Sequence, residues 1–243
     1  MAIIEGTYTV GYREIDRNFE ISNRAILGFM EDVAGKHSAS VGFGALDIPE
    51  TNLSWILLNW KLQVFKRVKY GEKIIIKTWS KRSTKLYSYR DFKAFNENGD
   101  LVAIASSKWI LFNVSTAKIC KLSEELMKPF DAVADLKVFD EEDLVKIEDP
   151  GNYISSIDYT VQRRDIDINM HVHNIYYLDI ANETIPLDVF MNSSFSKLDI
   201  MYKTEIKYGD TVKCLYCSNA DGVFVVIRSL DLSKLHAIIR FNS

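Results

Sequence analysis

Apolar and polar residues alternate along most of this chain, and the alternation comes in two series. In the first, Glu5 to Tyr12 is a β-rich run and Leu53 to Phe112 alternates in long segments, the period of half-buried strands. Between them Ser22 or Asn23 stands where a helix cap is needed, and helical spacing of apolar residues continues through Ala39. The second series opens with a strand over Tyr153 to Gln162 and a helical stripe from Asn174 to Thr184 that ends before Pro186. Strands then follow around Leu198 to Ile206, Thr211 to Ser218, Val223 to Leu230 and Leu235 to Arg240. Asn96-Glu97-Asn98-Gly99-Asp100 and Asp221-Gly222 predict hairpin turns. One helix and a mainly antiparallel sheet in each series predict an α+β protein in which each sheet buries one face on its own helix.

The two series are copies of one pattern. A shift of 151 places sets YTVGYREIDRNFEISN, from Tyr8 to Asn23, against YTVQRRDIDINMHVHN, from Tyr159 to Asn174, with 8 of 16 positions identical. Unrelated segments would share about one. A shift of 138 then pairs Lys69-Tyr70-Gly71 with Lys207-Tyr208-Gly209, so the second copy is shorter by 13 residues between the two anchors. The expected organisation is a first unit over residues 1–120, a linker over 121–151 and a second unit over 152–243. The linker is expected from its acid content, with Asp135, Asp140, Glu141, Glu142, Asp143, Glu148 and Asp149 against Lys137 and Lys146 before the breaker Asp149-Pro150-Gly151, and a short helix over Ser123 to Met127 is expected to decorate it.

Composition narrows the classes. With 47% hydrophobic residues and only 4 Pro and 11 Gly, the chain has the apolar surface for a packed core, which excludes disordered and collagen-like classes. A net charge of −3 gives no reason to expect a nucleic-acid partner. The first residues, MAIIEGTYTV, lack the charged and apolar regions of a signal peptide, no 18-residue apolar run exists, and three cysteines are an odd count. A cytoplasmic protein without membrane insertion is therefore expected.

The candidate chemistry lies where the copies differ. His171 replaces Glu20, and Glu205 replaces Arg67, so the second copy alone combines Asp167, Asn169, His171 and Glu205. Such a set suits proton transfer and the orientation of a reacting group. If Asp167 to His171 is extended, Asp167, Asn169 and His171 point one way while Ile168 and Met170 pack behind. A helix beginning near His171 or Asn174 would then offer free N–H groups to a developing oxyanion. Taken alone, the Asp-x-Asn-x-His run also reads as a capped helix start; Glu205 and the repeat favour catalysis. His171-Val172-His173 offers two same-facing imidazoles and no third ligand, so neither a metal nor a cofactor is expected.

The segment from Arg163 to Ile180, with Asp167, Asn169, His171, Asn174 and Tyr177, resembles the Asp-x-Asn-x-His-x-Asn-Asn-x-x-Tyr signature of the acyl-ACP thioesterases, with His173 in place of the first Asn of the pair. Tyr202 to Asp210 is similar to the family's Tyr-x-x-Glu-Cys segment, with Glu205 at the acid and Ile206 in place of the cysteine, which removes that cysteine as a nucleophile. The resemblance implies two tandem hotdog domains, each a long helix wrapped by an antiparallel sheet. It also implies hydrolysis of fatty acyl-ACP to the free acid. His171 and Glu205 would activate water, Asn169 would position the reacting groups, and Asp167 would either orient the site or attack the carbonyl to give a mixed anhydride. The first domain would hold the acyl chain without catalysing. The same resemblance makes acyl carrier protein the expected partner. Two fused domains within one chain leave both a monomer and a homodimer open.

From Lys61 to Lys85 the net charge is +8. This run, and within it Lys61, Lys66, Arg67, Lys69, Lys81, Arg82 and Lys85, reads as a docking face for an acidic carrier protein, and equally as a solvated sheet face. Alternative functions are an acyl-CoA thioesterase or hydratase on the same fold, or a non-catalytic acyl-binding protein. Cys214 and Cys217 lie three apart in an expected strand, facing opposite sides, and are read as structural.

Overall fold

A computed structural model describes residues 2–81, 83–133, 135–140, 144 and 146–243. The chain divides into two compact units, Met1–Leu144 and Val145–Ser243.

The first unit begins with β1 (Ile3–Thr9), whose alternating burial shows a strand with one half-buried face. Helix α1 (Asn23–Ser40) follows, capped by the Ser22 hydroxyl, which accepts from the Ala25 N–H at 3.2 Å. Its buried stripe of Ile26, Leu27, Met30, Val33, Ala34 and His37 recurs at helical spacing. After a one-turn helix α2 (Ile48–Thr51) come β2 (Leu53–Val64), β3 (Lys73–Ser80), β4 (Ser88–Asn96) and β5 (Leu101–Asn113). They pair antiparallel in the order β1-β3-β4-β5-β2, and the two-residue strand β6 (Lys118–Ile119) continues from β5. The expected hairpin closes at Asn96, whose side-chain oxygen accepts from the N–H groups of Asn98 and Asp100. The core lies between α1 and the sheet, with Trp60, Phe92 and Met30 fully buried.

The expected linker is not a linker. Residues 121–144 belong to the first unit. After helix α3 (Glu124–Met127), Phe130 is buried against His37, Phe43 and Trp55, the Val133 N–H donates to Ser80 O, the Trp79 indole donates to Leu136 O, and the Val138 N–H donates to the Asp91 carboxylate. The acidic residues that suggested a spacer sit beside these anchors; Glu141, Glu142 and Asp143 lie outside the described residues. The end of the same stretch belongs to the second unit, where Ile147 joins the cluster of Met201, Leu215, Phe224 and Ile238, and Asp149 pairs with Arg228 at 2.7 Å.

The second unit repeats the plan with β7 (Ser155–Thr160), β8 (Lys197–Tyr202), β9 (Thr211–Asn219), β10 (Gly222–Ser229) and β11 (Leu235–Asn242), paired antiparallel in the order β7-β9-β10-β11-β8. Its helix is shorter than the long element expected. Helix α4 (Tyr176–Thr184) stops at Ile185, because Pro186 cannot continue it, and α5 (Leu187–Asn192) restarts beyond. Cys214 and Cys217 are both buried on β9, and the bulk around Cys214 pushes its thiol up to about 12. Among the described residues no helix is long and apolar enough to cross a membrane.

Candidate active site

Both copies of the repeated motif fold into the same scaffold. In the second unit the chain reverses between Ile166 and Val172, which form a bridge, and the Asp167 N–H donates to His171 O at 2.9 Å. The first unit does the same between Ile15 and Ile21, with the Asp16 N–H donating to Glu20 O at 2.8 Å. Each reversal passes through one residue in the left-handed region, Met170 at φ 61° and Phe19 at φ 59°. Each also leans on the second anchor. His171 bridges Lys207 and the Val172 N–H donates to Ile206 O at 2.8 Å, as Glu20 bridges Lys69 and the Ile21 N–H donates to Val68 O at 2.8 Å. The anchor is itself a turn held by an acid, Asp210 accepting from the Lys207 N–H and Glu72 from the Lys69 N–H.

The reversal corrects the extended geometry read from the sequence. Asp167 is the hub of a turn: its Oδ1 accepts from the N–H groups of Asn169 at 2.8 Å and His171 at 3.3 Å, and its Oδ2 from the Asn169 side-chain amide at 3.2 Å. Ile168 and Met170 do not pack behind it but are exposed at the tip. Asp167 and His171 are half-buried and Asn169 is exposed.

The expected oxyanion donors are also corrected. Helix α4 begins only at Tyr176, and five of the six N–H groups from His171 to Tyr176 are already engaged. Those of His171, Val172, His173, Ile175 and Tyr176 donate to Asp167, Ile206, Asp165, the His173 ring and His173 O respectively. The Asn169 amide is different: one N–H is sufficient for Asp167, and the other points elsewhere.

Glu205 stands just beyond β8, which ends at Tyr202 and not at Ile206 as its apolar pattern suggested. The Lys203 N–H turns back to His236 O, and Glu205 follows as an exposed residue immediately before the Ile206 carbonyl that receives the Val172 N–H. Tyr177 feels the charge of both acids. Its phenol is buried and held well above the usual tyrosine range, first by burial and further by the charges of Glu205 and Asp167, against a hydrogen bond with the Ile206 backbone. Its ring meets Tyr202 edge-on at 5.2 Å, and Tyr202 donates to Asn174 O at 2.8 Å, fixing the start of α4. Sequence reading included Tyr177 only as part of a motif; its place on the buried stripe of α4 was the available signal. The imidazole of His171 and the carboxylate of Glu205 make no hydrogen bond among the described residues, so both keep their capacity for water and substrate.

The basic run is not brought together as one face. Lys81 is buried and pairs with Asp91 at 3.6 Å, Arg67 is engaged by Ile21 O and Asn23, Lys61 lies over the Phe139 ring, and Lys66 pairs with Asp100. Lys69 and Lys85 are exposed, and Arg82 lies outside the described residues.

Two units of one helix plan and one sheet plan, with a polar turn kept at the same place in each, define the tandem hotdog class. Solved structures agree: an acyl-ACP thioesterase from Bacteroides thetaiotaomicron superposes with a TM-score of 0.85 at 19% identity, over 98% of this chain and 96% of that one. The 12:0-ACP thioesterase from Umbellularia californica gives 0.81 at 20% identity, over 98% and 92%. The chain belongs to the acyl-ACP thioesterase family, since residues 3–130 match the family's N-terminal domain and residues 149–236 its C-terminal domain. Among similar relatives, the chloroplastic oleoyl-acyl carrier protein thioesterase 1 of Arabidopsis thaliana is 24% identical over 88% of this chain. The chloroplastic palmitoyl-acyl carrier protein thioesterase of Gossypium hirsutum is 26% identical over 84%. The matches span 63% and 52% of the length of these relatives.

Proposed function

We propose that this protein hydrolyses fatty acyl-ACP to a free fatty acid and the carrier thiol, with the reacting groups in the second unit. The observation that carries the reading is the difference between two copies of one scaffold: only the second presents His171 and Glu205 unengaged beside the Asp167 turn. His171 and Glu205 take a proton from water as its oxygen attacks the thioester carbonyl carbon. The C–S bond then breaks, and the proton passes to the departing thiolate. Asn169 offers its remaining amide N–H to the carbonyl oxygen as negative charge develops there.

Asp167 acts as the orienting group. A carboxylate whose two oxygens accept three hydrogen bonds from its own turn has its lone pairs engaged and is a weakened nucleophile. The first unit holds the acyl chain. Of the basic run, Lys66, Lys69, Lys73 and Lys85 are exposed charges that would steer an acidic carrier.

Release of free acid from a panel of acyl-ACPs of graded chain length, set beside acyl-CoAs with equal chains, tests the reading. Hydrolysis favouring the carrier-borne chains, lost in His171→Ala and in Glu205→Ala, supports it. A strong preference for acyl-CoA, or turnover undiminished in both variants, overturns it.

A further inference from the structure

The interior of the first unit contains a cation whose side-chain hydrogen bonds, among the described residues, go to neutral groups and not to a carboxylate. On β4, Arg90 and Asp91 face opposite sides of the sheet. Asp91 is fully buried away from α1, where the Ser106 hydroxyl donates to it at 2.7 Å, the Val138 N–H at 3.1 Å and Lys81 lies at 3.6 Å. Arg90 is buried on the α1 side, and both of its hydrogen bonds run from Nη1, at 2.9 Å to His37 Nδ1 and 3.4 Å to Thr78 Oγ1. Among the described residues no carboxylate pairs with it. Burial lowers Arg90 to about 10 and His37 to about 4, so at neutral pH the pair is a cation beside a neutral ring.

The hydrogen-bond directions make the site one-sided. A guanidinium only donates, so His37 Nδ1 accepts and the proton of the neutral ring sits on Nε2, a buried atom without a partner. Two more buried donors without partners lie in the same layer. Trp55 Nε1 belongs to a ring that meets Phe130 at 5.8 Å, and Phe130 in turn meets His37 at 5.7 Å. Trp60 lies in the cross-strand row Trp60, Ser107, Arg90 and Ser80, and its Nε1 is also unpaired. The neighbouring hydroxyls are already engaged, Thr78 by Asp91 O and Ser107 by the Trp109 indole and Arg90 O. Among the described residues the layer therefore offers the Arg90, His37, Trp55 and Trp60 donors without an acceptor matched to them, and the buried Oε2 of Glu31 on α1 bonds none of them. A hydrocarbon tail seated there would leave every one of them desolvated and unmatched.

We infer that this layer of the first unit receives an oxygen acceptor carried on the acyl chain, so that the favoured substrates are hydroxy-, oxo- or carboxy-acyl thioesters in preference to plain saturated ones of equal length. The inference rests on the thioesterase reading only for the chain being an acyl thioester; the donor cluster stands without it.

Two measurements test it with the full-length protein. The first is kcat/KM on acyl-ACPs of one length that are saturated, hydroxylated, oxo-substituted or ω-carboxylated, for the wild type and Arg90→Met. The expected result is at least a tenfold preference of the wild type for an oxygen-bearing chain, collapsing in Arg90→Met as the saturated chain gains. Preference for the carboxylate over the hydroxyl identifies charge as the feature read; equal preference identifies the oxygen. The second is calorimetric binding of the corresponding free acids to the wild type, compared with His37→Gln, which keeps a buried polar group should Arg90→Met fail to fold. Wild-type binding and turnover that favour the saturated chain overturn the inference while leaving the thioesterase reading intact. Absence of hydrolysis on every chain, with tight binding of the oxygenated acids, overturns the thioesterase reading alone.

Discussion

Arg67 and Glu205 occupy the same rung of the same scaffold in the two units, and only the arginine is tied down. Its Nη1 donates to Ile21 O at 2.7 Å and its Nη2 to Asn23 Oδ1 at 2.9 Å, joining the turn to the first residue of α1, while Glu205 is exposed and makes no such bond. One copy uses this rung to tie its turn to α1, and the other leaves it exposed. Arg67→Ala removes two charge-assisted bonds at a part-buried site and is expected to lower stability by about 2–4 kcal/mol. Glu205→Ala is expected to leave the unfolding midpoint within about 0.5 kcal/mol of the wild type and to reduce kcat by about 10²–10⁴. Urea unfolding and steady-state rates on both variants decide it. A stability loss in Glu205→Ala as large as in Arg67→Ala would mean that the two rungs do one job.

The turn around Asp167 separates orientation from nucleophilic attack. In Asp167→Asn the remaining oxygen still accepts from the backbone N–H groups of Asn169 and His171, but the new amide confronts the Asn169 amide that Oδ2 now receives. A misplaced Asn169 is expected to cost about 10²-fold in kcat and no more. If Asp167 instead attacked the carbonyl, Asp167→Asn would be as inactive as the His171→Ala, Glu205→Ala double variant. Initial rates on one acyl-ACP, measured for both proteins, distinguish the outcomes.

Much of this is legible in the sequence. The repeat at Tyr8 and Tyr159, the pairing of Lys69-Tyr70-Gly71 with Lys207-Tyr208-Gly209, and the replacement of Arg67 by Glu205 are sequence features that correspond to one scaffold in three dimensions. The turn at Asp167 was not legible, because Met170 takes a left-handed conformation that a glycine or asparagine would have announced and a methionine does not. The linker misled for a different reason: acid content describes solvent-facing side chains, whereas Phe130 and the backbone at Leu136 and Val138 determine where the segment packs. Arg90 was invisible because strand alternation gives it a face but not the identity of what crosses above it, and His37 arrives from a helix 53 positions away.

His37 makes stability depend on pH with a definite sign. Its ring is lowered from 6.5 to about 4, first by burial and then by Arg90. Between those values the unfolded chain binds a proton that the folded protein refuses. The contribution of the neutral ring is therefore complete above about pH 6.5, declines as the pH falls and reaches its limit near pH 4, a loss of about 3 kcal/mol. His37→Gln cannot titrate and is expected to flatten this part of the profile. Urea midpoints of both proteins at pH 7 and pH 4.5 test it: the wild type should lose more than the variant on acidification, and equal losses would show that His37 is protonated in the fold.

Gly222 and Gly209 both have positive φ, 133° and 83°, yet they predict very different variants. A Cβ at Gly209 would meet nothing within 4 Å, so Gly209→Ala bears only the cost of a left-handed alanine, about 1 kcal/mol. At Gly222, where β9 turns into β10, a Cβ would come within 2.7 Å of the Phe241 carbonyl oxygen and still closer to the Asn242 side chain. The carbonyl belongs to β11, which pairs with β10 at Val223, so it cannot withdraw without opening that ladder. The backbone conformation adds its own penalty, since only glycine occupies that region freely. Gly222→Ala is expected to destabilise by about 3 kcal/mol or more, at least double the effect of Gly209→Ala. Thermal unfolding of the two variants side by side is the check, and comparable shifts would mean that the β10–β11 end yields to a methyl group more readily than its register implies.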